Sequence, residues 1–251
     1  MPYRTDIVYV YDGSFAGLLC CVHESYYQKE MPFMIFAYDE PQETLFDVKE
    51  IVTDDAAAKK VEDSIGRKIS MDALKLVRLC YLAMMATENR EIAILNFLRL
   101  GYKIGPKVTD MLTHDVVHTI TKSAQGAQRE GHFYKEFLRF SEYSKALVAV
   151  IELKNFVLPL IAPHFCDRFP SEQFMIYDKT HKHAFFYQNG KRNLIELENL
   201  ELPETEADEA KYRALWKRFY NTIAIEGRYN PKLRMNHMPK RYWAHMTEFI
   251  E

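Results

Sequence analysis

This sequence is poor in the features that announce a reaction or a compartment. Its 251 residues hold four cysteines, Cys20, Cys21, Cys80 and Cys166, with no C-x-x-C pair among them. Adjacent cysteines rarely bridge each other, and thiols dispersed in this way suit a reducing, intracellular setting without a cysteine metal site. No apolar run approaches the roughly 20 residues that span a bilayer. The opening MPYRTDIVYVYDGSF lacks the basic-then-apolar pattern of a secretory signal. The expectation is a cytoplasmic protein. The sequence contains no G-x-G-x-x-G, no G-x-x-x-x-G-K-S/T, no H-E-x-x-H and no G-x-S-x-G. This removes the dinucleotide fingerprint, the P-loop, the zincin helix and the nucleophile elbow, and no cofactor or metal is expected.

What is present is a globular composition, 48% hydrophobic and 27% charged, with aromatics at 14%. The formal net charge of −2 hides a local asymmetry. From Leu194 to Ala210 the chain carries seven acids and no base: Glu196, Glu198, Glu201, Glu204, Glu206, Asp208 and Glu209. From Lys211 to His245 nine bases face one acid, Glu226. The bases are Lys211, Arg213, Lys217, Arg218, Arg228, Lys232, Arg234, Lys240 and Arg241. A cationic block suits a polyanion, but it specifies no reaction.

Along the chain, Ile7–Tyr11 reads as a strand, and Asp12-Gly13 as a turn into a helix capped by Ser14. Further strands are expected at Phe33–Tyr38 and Leu45–Val52. Residues 54–127 read as a helical block, with Asp54, Ser70 and Thr87 as candidate caps. Phe133–Phe140 and Ala146–Glu152 read as a hairpin, and Phe156–Phe165 as a short helix. Short strands follow at Phe174–Tyr177, Ala184–Tyr187 and Leu194–Leu197, with Asn189-Gly190 as the clearest turn. Glu206–Ile225 is an amphipathic helix. Tyr212, Leu215, Trp216, Phe219 and Ile223 share one face, and Lys211, Arg213, Lys217 and Arg218 share the other. The expected fold class is α+β: antiparallel sheet elements, a central helical block and a C-terminal basic helix. The chain is read as a single compact unit, 1–251. Within it lie a strand-helix-strand segment (1–52), the helical block (53–130) and a sheet with basic helices (131–251).

Five segments together resemble one family: DGSFAGLLC (12–20), TDDAAAKKVEDSI (53–65), GHFYKEFLRF (131–140), LPLIAPHFCDRFPSEQFMIYDK (158–179) and YNPKLRMNHMPKRYW (229–243). The family is an uncharacterised bacterial one, described as a probable DNA metabolism protein. Its members are typically encoded beside a radical S-adenosylmethionine protein proposed to modify or repair DNA. A related domain occurs fused to uracil-DNA glycosylase-like domains. The sequence departs from the family at Glu136, where glycine is usual, at Phe133-Tyr134, and at Leu153-Lys154-Asn155, where Pro-Asp is frequent. The resemblance implies DNA as a ligand and a radical enzyme as a partner. It brings no catalytic residues with it.

Four groups of residues are candidate sites. The basic tail offers Lys211, Arg213, Lys217, Arg218, Arg228, Lys232, Arg234, His237, Lys240 and Arg241 to phosphates, with Tyr242 and Trp243 able to stack on an exposed base. The bland alternative is a solvated face neutralised by the acidic linker. Ile104-Gly-Pro-Lys107 resembles half of a helix-hairpin-helix, or else a plain connection with Pro at its first turn. His164, Asp167 and Arg168 share a helix face and can orient a proton transfer, or tie a helix end to a sheet. Asp178, His181 and His183 include metal-ligand types, on spacing that suits a hairpin turn. The expectation is an accessory protein of DNA metabolism that binds nucleic acid and works with a radical enzyme. It lacks the three-cysteine cluster motif of the radical enzyme itself. An enzyme acting on a nucleobase or on damaged DNA is the second reading, and a purely protein-binding subunit the third.

Overall fold

The computed structural model describes residues 3–38, 44–83, 89–143, 145–202, 207–223 and 230–249, with backbone alone at 207–210, 237, 244 and 245. The chain divides into two compact units, residues 1–128 and 129–251.

The first unit is built on three parallel strands. β1 (Ile7–Tyr11) lies between β2 (Met34–Ala37) and β3 (Asp47–Glu50), with Val8 opposite both Met34 and Val48. Parallel neighbours need a crossover, and α1 (Phe15–Tyr27) supplies it between β1 and β2. Ser14 starts this helix, its hydroxyl accepting from the Gly17 amide at 2.9 Å. Asp54 and Ser70 cap α2 (Asp55–Lys68) and α3 (Met71–Leu82) in the same way. Thr87 lies outside the described residues, and Asn89 caps α4 (Arg90–Ile104), accepting from Ile92 at 2.9 Å. One core joins the strands to the helices. Tyr9, Tyr11, Leu18, Ile35, Ile65, Val77, Leu95, Phe97 and Ile120 are all buried in it. Each full side chain of this kind contributes about 1.5–3 kcal/mol on burial. The opening strands and the helical block are thus one folding problem.

Ile104-Gly-Pro-Lys107 is the exit from α4. Gly105 takes a left-handed φ of +82°, which glycine adopts without strain, and Pro106–Asp110 forms a 3₁₀ turn whose Val108 is buried. The segment is a helix connection.

The second unit holds a five-stranded sheet in the order β4 (Ser141–Tyr143), β5 (Ala146–Ile151), β6 (Phe174–Asp178), β7 (His183–Gln188), β8 (Lys191–Glu196). β5 and β6 are parallel, with α6 (Leu158–Arg168) crossing between them, and the other pairs are antiparallel. The α+β class holds. Antiparallel pairs are confined to the second unit, and each unit contains a strand-helix-strand crossover with parallel neighbours. Asn189 (φ +50°) and Gly190 (φ +78°) form the tight turn between β7 and β8.

Phe133–Phe140 is not a hairpin strand. α5 (Asp115–Phe137) runs on through it, and Phe133 and Phe137, one helical turn apart, stack at 5.8 Å. The segment's apolar positions fit a period of 3.6 as well as one of 2, and the helix already in progress extends at little cost. One sheet face packs on α6, with Phe140 meeting Phe165, Phe169 and Phe174 edge-on. Against the other face, around Val148, Met175, Tyr177 and Ala184, pack Leu197, Leu200 and Leu202.

α7 (Ala207–Ile223) and α8 (Pro231–His237) follow, then a 3₁₀ turn at Lys240–His245. α7 reverses the usual arrangement of an amphipathic helix. Tyr212 (67%), Leu215 (60%) and Phe219 (53%) are exposed, whereas Arg213 and Lys217 on the polar face are half-buried. No helix among the described residues is long and apolar enough to cross a membrane.

Candidate functional site

A cavity of about 390 Å³ opens on the face of the second unit's sheet opposite α6. The strand period of two places Val148 and Val150 on the same face of β5, and Tyr143 of β4 packs beside them. Leu202 and α7 form a wall, and Arg139, Ser141, Glu152, Lys179 and Arg213 bring polar atoms to the lining. Arg213 donates to the Ser141 hydroxyl, which fastens α7 to the sheet edge. Arg139 donates to Glu248 at 3.3 Å, a carboxylate only 3% exposed that also accepts from the Trp216 indole at 3.1 Å. Lys179 and Glu152 pair at 2.9 Å, and both are more than half exposed. Three cations therefore line the cavity against one carboxylate, over a floor of apolar and aromatic groups. Such a site can take an anion carrying a flat or apolar part.

The basic tail does not form one open cationic face. Lys211 and Arg218 are exposed, Lys217 is half-buried, and Arg213 belongs to the cavity. Arg228 lies outside the described residues, as does the side chain of His237. Lys232 is exposed on α8, which Asn230 caps by accepting from Leu233 at 3.0 Å. The other tail cations lie near rings, Arg234 half-buried and Lys240 and Arg241 exposed. Arg234 lies 5.1 Å from the centroid of Trp243 and 5.4 Å from that of Phe249. Lys240 approaches Trp243 at 5.8 Å, and Arg241 the Tyr242 ring at 4.7 Å.

Tyr242 is 1% exposed, packed among Phe133, Tyr134 and Phe137, and burial pushes its hydroxyl above the usual tyrosine range. Trp243 stacks on Phe249 at 4.5 Å and donates to the Met238 carbonyl at 3.0 Å. Tyr242 is thus an anchor rather than a platform for a base, and Trp243 is engaged on one face and at its N–H.

His164, Asp167 and Arg168 share α6, but no hydrogen bond or ion pair joins them among the described residues. Partial burial lowers the His164 pKa, helped by Lys135 and Arg168 and opposed by Asp167. Asp167 and Arg168 are exposed, and the buried Cys166 thiol is pushed up by burial. Asp178 is fully buried and accepts from the Leu153 and Thr180 amides and contacts His181 Nδ1 at 2.5 Å. His183 directs its Nδ1 to the His181 carbonyl at 2.6 Å instead of toward Asp178. The three residues close a β-turn. Among the described residues no three His, Cys, Asp or Glu side chains converge as ligands would.

Arg139, Ser141, Tyr143, Glu152, Lys179 and Thr247 line the cavity without having been singled out in the sequence. The alternation of β4 and β5 was the available signal. Which sheet face stays open depends on where Leu202 and α7 pack, and no local pattern carries that.

No curated protein matches the chain, and no solved structure does. One family model matches residues 88–248, more than half of the chain and all of the cavity lining. The chain therefore belongs to the family of DUF4130, described as a domain of unknown function.

Proposed function

We propose that this protein binds nucleic acid through the cationic cavity of its second unit, as an accessory factor of DNA metabolism. The observation that carries the reading is the set of Arg139, Lys179 and Arg213 around an apolar, Tyr143-bearing floor. Guanidinium groups suit phosphate oxygens, and the buried Glu248 holds Arg139 in place for that role. A radical S-adenosylmethionine enzyme as partner rests on the family resemblance of the sequence motifs.

The test is anisotropy of labelled DNA over a salt series. Lys179→Ala with Arg213→Ala is the informative pair, because removing Arg139 would strand the buried Glu248. Affinity should fall, and the slope of log affinity against log salt should flatten by about 0.9 per lost duplex contact. Unchanged affinity in a folded double variant would overturn the reading.

A second reading, a protein-docking subunit, is favoured by the open apolar face of α7. Phe219→Asp should then abolish capture of the radical enzyme while leaving DNA affinity intact.

A further inference from the structure

The first unit has its own concavity, a groove of about 520 Å³ formed by α1, α2 and α4. Its floor is apolar, with Val22 and Val61 buried at 1% and 7% exposure. One rim carries rings. His23 and Tyr27 of α1 stack nearly parallel, 6.2 Å apart with 11° between planes, and Tyr27 is 74% exposed. Tyr26 stands edge-on to Tyr102 at 5.6 Å, and the Arg99 guanidinium lies 4.8 Å from its centroid. Arg99 is fixed there by donating to the Glu30 carbonyl at 2.7 Å and to the Ser25 carbonyl at 3.3 Å.

The other rim carries charge. Lys60, Ser64 and Lys68 recur every four residues along α2 and so form one stripe, about 12 Å from end to end. Neither lysine forms an ion pair among the described residues. The acids nearest them on α2 are engaged elsewhere, Asp63 with Lys59 at 3.1 Å and Glu62 with Arg78. Among the described residues no carboxylate lines the groove.

We infer that this groove is a binding site for unpaired nucleotides of a single-stranded nucleic acid, with bases on the His23/Tyr27 and Tyr26/Tyr102 rings and phosphates on Lys60 and Lys68. Each part follows from the chemistry. An exposed ring face is attractive to any base that is out of its duplex, and lysines on one stripe can follow a phosphate backbone. A duplex hides its base faces from such rings. The acidic side chains of a peptide would satisfy the lysines but leave the four rings without a stacking partner, whereas every nucleotide carries a phosphate and a ring together. The volume falls within the roughly 300–1,000 Å³ of small-ligand sites, which a nucleotide fills. The groove is in the first unit and the phosphate cavity in the second, so the two readings stand or fall separately.

The experiment uses the full chain with a fluorescent oligothymidylate of about 15 nucleotides, within the site sizes known for single-strand binders, a duplex of the same length, and free thymidine monophosphate as competitor. Tyr27→Ala removes an exposed ring. Lys60→Ala with Lys68→Ala removes the charges. All three positions are open to solvent, and melting curves check that the fold is kept. Tyr27→Ala should weaken single-strand binding by about ten-fold at unchanged salt slope. The lysine pair should flatten that slope by about 1.4, two contacts at roughly 0.7 each. Duplex affinity should stay as in the wild type, and it alone should respond to Lys179→Ala with Arg213→Ala. Single-strand affinity unmoved by both groove variants overturns the inference. So does an effect of the lysines without one of Tyr27, which would leave a plain polyanion patch. Full displacement by equimolar thymidine monophosphate also overturns it, making a free nucleotide the ligand.

Discussion

In the first unit the chain leaves β1 at Asp12, and in the second it leaves β5 at Glu152. Both points are the carboxyl end of a strand followed by a crossover helix and a parallel neighbour, where open sheets commonly bind ligands. The two carboxylates are used differently. Asp12 accepts from the Ser14 amide at 2.9 Å, the Ser14 hydroxyl at 2.7 Å and the Thr53 hydroxyl at 2.8 Å. A methyl group at Gly17 would run into both Asp12 and Thr53, so the loop is closed upon itself. Glu152 faces a cavity, where it pairs with the exposed Lys179. A carboxylate spent on the chain's own donors builds a fold. One held by a solvent-screened lysine can release that lysine to an incoming anion at little cost.

Four substitutions sharpen or break this contrast. Glu130→Ala should cost the most. Glu130 is 2% exposed and accepts from the Lys154 amide at 2.8 Å, the Asn155 amide at 2.9 Å and the Asn155 side chain at 2.5 Å. Stranding those donors should lower stability by about 3 kcal/mol or more, read as a fall in the denaturant midpoint. A loss under about 1 kcal/mol would show that a buried carboxylate here is not structural.

Glu30 comes next. Burial opposes its ionisation, but bonds from Tyr9 at 2.5 Å and Lys49 at 2.9 Å outweigh it and hold the carboxyl below the usual glutamate range. The stabilisation is complete above the unfolded-state value. It is lost as pH falls through the lowered folded value, because the unfolded chain takes up the proton first. Glu30→Gln should therefore destabilise at neutral pH, by about 1–3 kcal/mol, and flatten the acid limb of the melting curve. An unchanged acid limb would refute the assignment.

Asp12→Ala removes a cap network at an exposed position and should cost about 1 kcal/mol. Lys179→Ala should cost less than about 1 kcal/mol in stability, as an exposed pair does, while reducing DNA affinity. A larger stability loss at Lys179 than at Asp12 would invert the comparison.

Much of the local structure could be read from the residues. Ser14, Asp54 and Ser70 cap the helices where a short hydroxyl or carboxylate precedes an apolar period, and Asn189-Gly190 turns where both residues tolerate positive φ. Pairing was not legible. Nothing in Asp47–Glu50 says that it lies parallel to β1, because the pairing is set by the assembled sheet and not by the strand's own residues. The tail shows the same limit for function. Arginine next to an aromatic reads as a nucleic-acid signature, but Arg234 and Arg241 lie over the chain's own rings. Cation–π contact and phosphate binding call for the same residue types, and only packing separates them. The groove of the first unit went unread for a related reason. Tyr26 and Tyr102 are far apart in sequence, and only the fold brings their rings together.

The placement of the indoles has an optical consequence. The sequence has two tryptophans, and Trp216 and Trp243 both belong to the second unit. Fluorescence excited selectively through indole reports on that unit alone, whereas the phenols, eight of the sixteen in the first unit, report on both. Melting the full chain at two excitation wavelengths therefore asks whether the units lose structure together or in sequence. Coincident curves would mark one cooperative transition, and separated curves would give each unit its own stability.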